Sequence, residues 1–176
     1  MARLVITNID YLITVDPERR IIRDGAVAID GDRIVAVGKT ADITVNPAAD
    51  TVVDGRGKLA LPGVFDTHIH NAQQLGRGCG DEAWSGPERV FSRLWVVEAH
   101  MDKGDALCAA RLSQLEMIRA GTTCFADPGS YFAEETAQAT KESGMRGMIA
   151  RTVFDMGTTV MGSLPKGFFE PTDDAL

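Results

Sequence analysis

Leu61-Pro62-Gly63-Val64-Phe65-Asp66-Thr67-His68-Ile69-His70 is the stretch on which the reading of this chain turns. Leu59 to Thr67 is apolar and continuous enough for a strand buried on both faces, as in a parallel sheet covered by helices. Side chains alternate along a strand, so Asp66, His68 and His70 are expected on one face, with Thr67 and Ile69 on the other. Imidazoles at i and i+2 are about 6.5 to 7 Å apart at the backbone. From there both can converge on one ion at Zn–N distances of about 2.0 to 2.1 Å. Parallel α/β folds build their active sites at the C-terminal strand ends, which is where the pair falls. The competing reading is of two buried histidines bonded to backbone groups.

Upstream, short β-type runs are separated by turn residues. Leu4-Val5-Ile6-Thr7, Tyr11-Leu12-Ile13-Thr14-Val15, Ala26-Val27-Ala28-Ile29 and Arg33-Ile34-Val35-Ala36-Val37 read as strands, with Thr51-Val52-Val53-Asp54 as a further one. Asp30-Gly31 between two β-branched runs is a strong hairpin signal, because glycine accepts the positive φ of a tight turn. Asp16-Pro17-Glu18 marks another turn. Residues 1–60 therefore form a small all-β unit.

Downstream, over residues 61–176, the rhythm changes to strand, loop, helix, strand. Cys108, Leu112, Leu115 and Ile118 recur at helical spacing, with Asp102 as N-cap and Gly121 as the stop. Thr122 to Ala126 reads as a second buried strand. Phe132 to Ser143 is a helix ended by Gly144, and Met148 to Val153 is a third strand. Strands alternating with helices make this part parallel α/β. Phe154 to Leu176 shows no clear element.

The chain has 176 residues, 44% hydrophobic and 24% charged, a globular composition. A complete eight-stranded β/α barrel needs at least about 200 residues, so one cannot fit. A formal charge of −7 and no Lys/Arg-rich run argue against nucleic acid or an anionic membrane as partner. No apolar run approaches the roughly 18 residues of a membrane span. The N-terminus has no signal-peptide pattern, so a cytoplasmic protein is expected. Cys79, Cys108 and Cys124 lack metal-site or CxxC spacing and read as reduced, mostly buried thiols.

Leu61 to His70 resembles the first-strand signature of the amidohydrolase superfamily. Glu116-Met117-Ile118-Arg119-Ala120-Gly121-Thr122-Thr123 is similar to the helix-to-second-strand segment of its chlorohydrolase and deaminase branch, which includes the atrazine, cytosine and guanine deaminase relatives. The hairpin-rich start resembles the small β-sandwich that precedes the barrel there. The resemblance covers the chain to about Val153. It implies an N-terminal β-sandwich segment (1–60) followed by the first βα units of an incomplete (β/α)8 TIM barrel (61–176).

The function so implied is metal-dependent hydrolysis of a non-peptide carbon–nitrogen bond, such as deamination of a nitrogen heterocycle by metal-activated water. His68 and His70 match the first two metal ligands, and the divalent metal would be zinc, with iron as the other option. The family's later ligands and its proton-shuttling glutamate have no counterpart here, so the chain alone is expected to be inactive and no catalytic residue is assigned. Gln73 sits where guanine deaminase relatives contact the base, with loop anchoring as the alternative. Arg77 either binds substrate or holds its loop. Asp66 is expected to orient the site rather than to ligate.

Several other residues read as structural. His100 is expected to be solvent-facing or capping. Asp127-Pro128-Gly129 lies after the second strand on the active-site face but is read as a turn, and Trp84 and Trp95 as core aromatics with pocket lining as the alternative. The expected partner is a small heterocyclic substrate. Two alternatives stand beside this reading. One is a non-catalytic fragment or scaffold that self-associates into a homo-oligomer. The other is a hydantoinase- or dihydroorotase-like cyclic amidase.

Overall fold

The computed structural model describes residues 2–79, 86, 90–154, 158–159 and 162–163. The chain divides into two compact units, Met1–Pro62 and Gly63–Leu176.

The first unit is one sheet. β1 (Leu4–Ile13), β2 (Ile21–Asp30) and β3 (Arg33–Lys39) form an antiparallel meander. β4 (Thr51–Asp54) and β5 (Leu59–Ala60) run parallel to β1 at its two ends. Val5, Ile9, Leu12, Ala26 and Ala28 form its core. The two runs expected as separate strands at Leu4–Thr7 and Tyr11–Val15 are one strand. A bulge between Ile6 and Ile9 absorbs the polar interruption, with Asn8 at φ +55°, a conformation that asparagine tolerates better than most residues. In the β2–β3 hairpin Asp30 pairs with Arg33, so the loop is Gly31-Asp32, with Gly31 at φ +58°. Glycine at the first central position suits such a two-residue loop.

The continuous strand expected from Leu59 to Thr67 is split. Leu59–Ala60 completes the first sheet, Leu61-Pro62-Gly63 carries no element, and β6 (Val64–Asp66) opens the second unit. Pro62 cannot donate to a ladder, which separates the two pieces. β6 is an edge strand, and Val64 (50%) and Phe65 (69%) are exposed rather than buried on both faces.

The second unit is built on a parallel sheet, β6-β7-β8, with β7 (Thr122–Ser130) central and β8 (Arg146–Arg151) beyond it. α1 (Lys103–Ala120) lies between β6 and β7 in sequence, and α2 (Ala133–Ser143) joins β7 to β8. α1 starts at Asp102, whose carboxylate accepts from Asp105 N at 2.9 Å while Asp105 accepts from Asp102 N at 3.1 Å, a reciprocal capping box. Gly121 ends α1 at φ +85°, where glycine avoids the Cβ penalty. On β7, Phe125 is buried opposite Gly147 of β8, and a Cβ at 147 would run into the ring.

The buried side of α1 differs from the apolar spacing. Ala106, Ala109, Ala110, Ser113, Gln114 and Met117 are buried, whereas Cys108, Leu115 and Ile118 are exposed. The partner helix decides this. Gln114 donates to Thr140 Oγ1 at 2.9 Å and accepts from Ser143 Oγ at 2.6 Å. Small side chains beside it let α1 and α2 approach closely. Cys79 is also exposed and Cys124 half-buried, so the thiols are free but not mostly buried.

Candidate metal and substrate site

β6 stops at Asp66, whose Oδ1 accepts from His68 N at 3.1 Å and turns the chain. The ladder to β7 continues for one further contact, Ile69 N to Ala126 O at 2.9 Å. His68 and His70 therefore project from a turn beyond the strand, not from the strand itself. Their rings still meet, with centres 5.2 Å apart and planes at 78°.

His68 is exposed, whereas His70 is half-buried and held. His70 Nδ1 lies 3.0 Å from Gly129 O. A carbonyl only accepts, so Nδ1 carries a proton, which in the neutral ring leaves the lone pair on Nε2. That is the tautomer a ligating histidine adopts when its other nitrogen is anchored. Two imidazoles sharing a tetrahedral ion at about 2.1 Å have ring centres about 5 Å apart. The ring spacing and the anchored Nδ1 of His70 are the two features consistent with a shared divalent ion. Among the described residues no cluster of three or more histidine, cysteine or carboxylate groups is placed to hold a metal.

The residues around the pair include several that are not evident in the sequence. Asp127, read above as part of a turn, is buried within β7. Its Oδ2 accepts from Asn71 N at 3.1 Å and from Asn71 Nδ2 at 3.0 Å, and its Oδ1 accepts from Gly129 N at 3.3 Å. Oδ1 is 3.9 Å from His70 Nδ1. Asn71, fully buried, opens a 3-10 helix (Asn71–Gly76) directly after His70. The carboxylate fixes its amide orientation and leaves Asn71 Oδ1 buried without a hydrogen-bond partner among the described residues. Such an orphan acceptor costs about 1–3 kcal/mol.

A cavity of roughly 350 Å³ opens beside His70, lined also by Gln73, Trp95, Glu98, Tyr131 and Phe154 among others. Glu98, in a single helical turn at Trp95–Glu98, is buried. Burial pushes its carboxyl above the usual range, against a hydrogen bond with Gln73 and the nearby His70. Burial, with Glu98 nearby, also pushes the Tyr131 phenol up. Trp95 meets Phe154 edge-on at 5.1 Å, and Tyr131 stacks on Phe154 at 5.9 Å. Planar walls and a few buried polar groups suit a flat heterocycle.

Of the residues singled out in the sequence, Gln73 lines this cavity. Arg77 does not: exposed, it binds Glu116 of α1 through two bonds at 2.9 and 2.8 Å and Gln74 at 2.7 Å. Loop holding explains Arg77, because its guanidinium is already committed to those acceptors. Trp95 lines the cavity rather than filling a core. His100 is exposed, with Nδ1 2.7 Å from Val96 O. Trp84 lies outside the described residues. Glu98 had one sequence signal, a lone carboxylate inside Trp95-Val96-Val97-Glu98-Ala99. Asn71 had none beyond following the second histidine.

The family model described as the amidohydrolase family matches residues 59–173, and a bacterial imidazolonepropionase-like composite domain matches residues 25–44. The chain is 35% identical to a 5'-deoxyadenosine deaminase of Methanosarcina mazei over 156 residues, which is 89% of this chain and 34% of that protein. An atrazine chlorohydrolase from Arthrobacter aurescens, complexed with zinc, superposes with a TM-score of 0.72 at 28% identity, over 97% of this chain and 40% of that one. An adenosine deaminase from Xanthomonas campestris with bound zinc gives a TM-score of 0.71 at 27% identity, over 92% and 36%. The chain thus spans about a third of the length of the curated relatives it matches.

Proposed function

The chain belongs to the amidohydrolase family, and from that premise we propose that it supplies the opening part of a metal-dependent deaminase acting on an adenosine-like nitrogen heterocycle. In this reading residues 1–60 are the small β-sandwich segment and residues 61–176 the first βα units of a (β/α)8 barrel. The parallel β6-β7-β8 sheet, crossed by α1 and α2, supports the barrel assignment. The observation that carries the proposal is the histidine pair, with ring centres 5.2 Å apart and His70 anchored through Nδ1. His68 and His70 would hold the ion through Nε2, zinc being favoured by the zinc-bound relatives and iron the other option. When bound, such an ion lowers the pKa of water towards neutrality.

The chain's own residues bind and orient. Gln73 presents its amide to the heterocycle, and Glu98 fixes that amide through their shared hydrogen bond. Trp95 and Phe154 provide flat apolar walls that exclude water. Asp66 turns the chain so that His68 points towards His70. Groups that would complete the ligand set and carry the proton are outside this set, so the chain alone is expected to lack turnover.

A chimera tests the reading. Residues 1–153 replace the matching segment of the Methanosarcina mazei deaminase, and ammonia release from 5'-deoxyadenosine is measured. Retained activity that H68Q or H70Q abolishes is the expected result. A chimera whose activity survives both substitutions, or turnover by the present chain alone, would contradict it.

A further inference from the structure

The geometry points to Asp127 as the positioning residue of the site, holding His70 by its backbone and by its ring at once; this rests on the metal reading above. The hydrogen bonds close into a loop. One carboxylate oxygen takes both donors of Asn71, the residue joined to His70, and so fixes where the chain leaves the histidine. The other takes Gly129 N, and Gly129 O takes the His70 ring. The ring therefore cannot turn about its side-chain bonds without losing Gly129, and Gly129 cannot shift without losing Asp127.

Two features show that this arrangement is specific. Asn71 Oδ1 is left buried and, among the described residues, unpartnered while the amide nitrogen stays on Asp127. A Cβ at position 129 would also meet Thr152 Oγ1 and force that hydroxyl to turn away. Asp127 does not itself line the cavity, and its Oδ1 stays 3.9 Å from the ring nitrogen, beyond hydrogen-bond distance. Its effect on a bound ion is exerted through His70, by presenting Nε2 in one tautomer and one direction.

The test uses the protein with isotope-labelled histidine, metal-free and then titrated with Zn²⁺ alone. In the metal-free wild type the His70 ring should be the Nδ1–H tautomer with a slowly exchanging proton. D127N, nearly the same shape, should speed exchange of that proton by at least about tenfold, the loss expected for a hydrogen-bond set built on a charged group. The His100 ring, held separately on Val96, should stay unchanged. Zinc affinity should fall about 10–100-fold.

A His70 ring in D127N with wild-type tautomer and exchange overturns the proposal, whatever zinc does. A freed ring in D127N together with no zinc binding by wild type upholds the positioning role while defeating the metal reading. If D127N does not fold, N71A removes a single bond of the set and should give a smaller, several-fold acceleration. An unchanged ring there overturns the proposal.

Discussion

The two units solve opposite problems with their polar groups. In the first, the sheet core is apolar, and Thr7 is the one buried polar residue recorded there among the described residues. Arg20–Asp16 at 2.6 Å is an exposed pair, and Arg3–Asp50 at 2.7 Å is partly buried at the sheet's end. In the second, Asn71, Glu98, Ser113, Gln114, Asp127 and Thr136 are all buried. Burying polar groups is unfavourable unless they are bonded, and each half-satisfied group adds to the cost. Asn71, Glu98 and Asp127 lie beside the histidine pair or its cavity, whereas Gln114 and Thr136 meet between α1 and α2. The second unit thus uses buried polar groups for a site as well as for packing.

The largest effect is expected from truncating Phe125, the largest fully buried side chain among the described residues. F125A should destabilise the second unit by about 3–5 kcal/mol, against about 1 kcal/mol for I9V in the first. Chemical denaturation followed by probes in each unit measures both. A loss for F125A no larger than that for I9V would contradict the close burial of the Phe125 ring against Gly147. Next in size, D102A removes the α1 cap and should cost about 1 kcal/mol, read as a lower denaturation midpoint with an unchanged slope.

Two smaller effects depend on pH. Glu98 has a raised folded pKa, so the unfolded chain releases its proton first. Its contribution to stability therefore falls as pH rises from about 4.5 towards the folded value. E98Q should flatten that fall and leave the protein more stable at neutral pH; a steeper fall would contradict the burial argument. Glu142 is the reverse case, held down to about 2 first by its bond to Arg111 and then by Gln138. Its stabilisation is present above its ordinary value of 4.5 and is lost as pH falls towards 2. E142Q should remove that acid-limb loss by a small amount, since the pair is exposed.

Much of this was legible in the residues. Asp30-Gly31 announced the hairpin, Asp102 and Gly121 bounded α1, and His68 and His70 pointed to the pair on which the proposed site rests. Local chemistry decides all of these. What could not be read depends on partners distant in sequence. Which face of α1 is buried is decided by Gln114 finding Thr140 and Ser143 on α2, and Arg77 is occupied by Glu116, 39 residues away. Asp127-Pro128-Gly129 has turn composition, yet it lies in the central strand, where Asp127 meets Asn71 across 56 residues. The alternation that set His68 and His70 on one strand face failed for a local reason, the Asp66 turn, although the rings converge nonetheless.

The central claim is that His68 and His70 together form one half of a divalent metal site. Titrating the protein with Zn²⁺ while following the ring nitrogens of all its histidines tests it most directly. The account predicts that the Nε2 signals of His68 and His70 shift together with one ion bound, and that His100 does not respond. Independent shifts of the two, or a response at His100 equal to theirs, would contradict it.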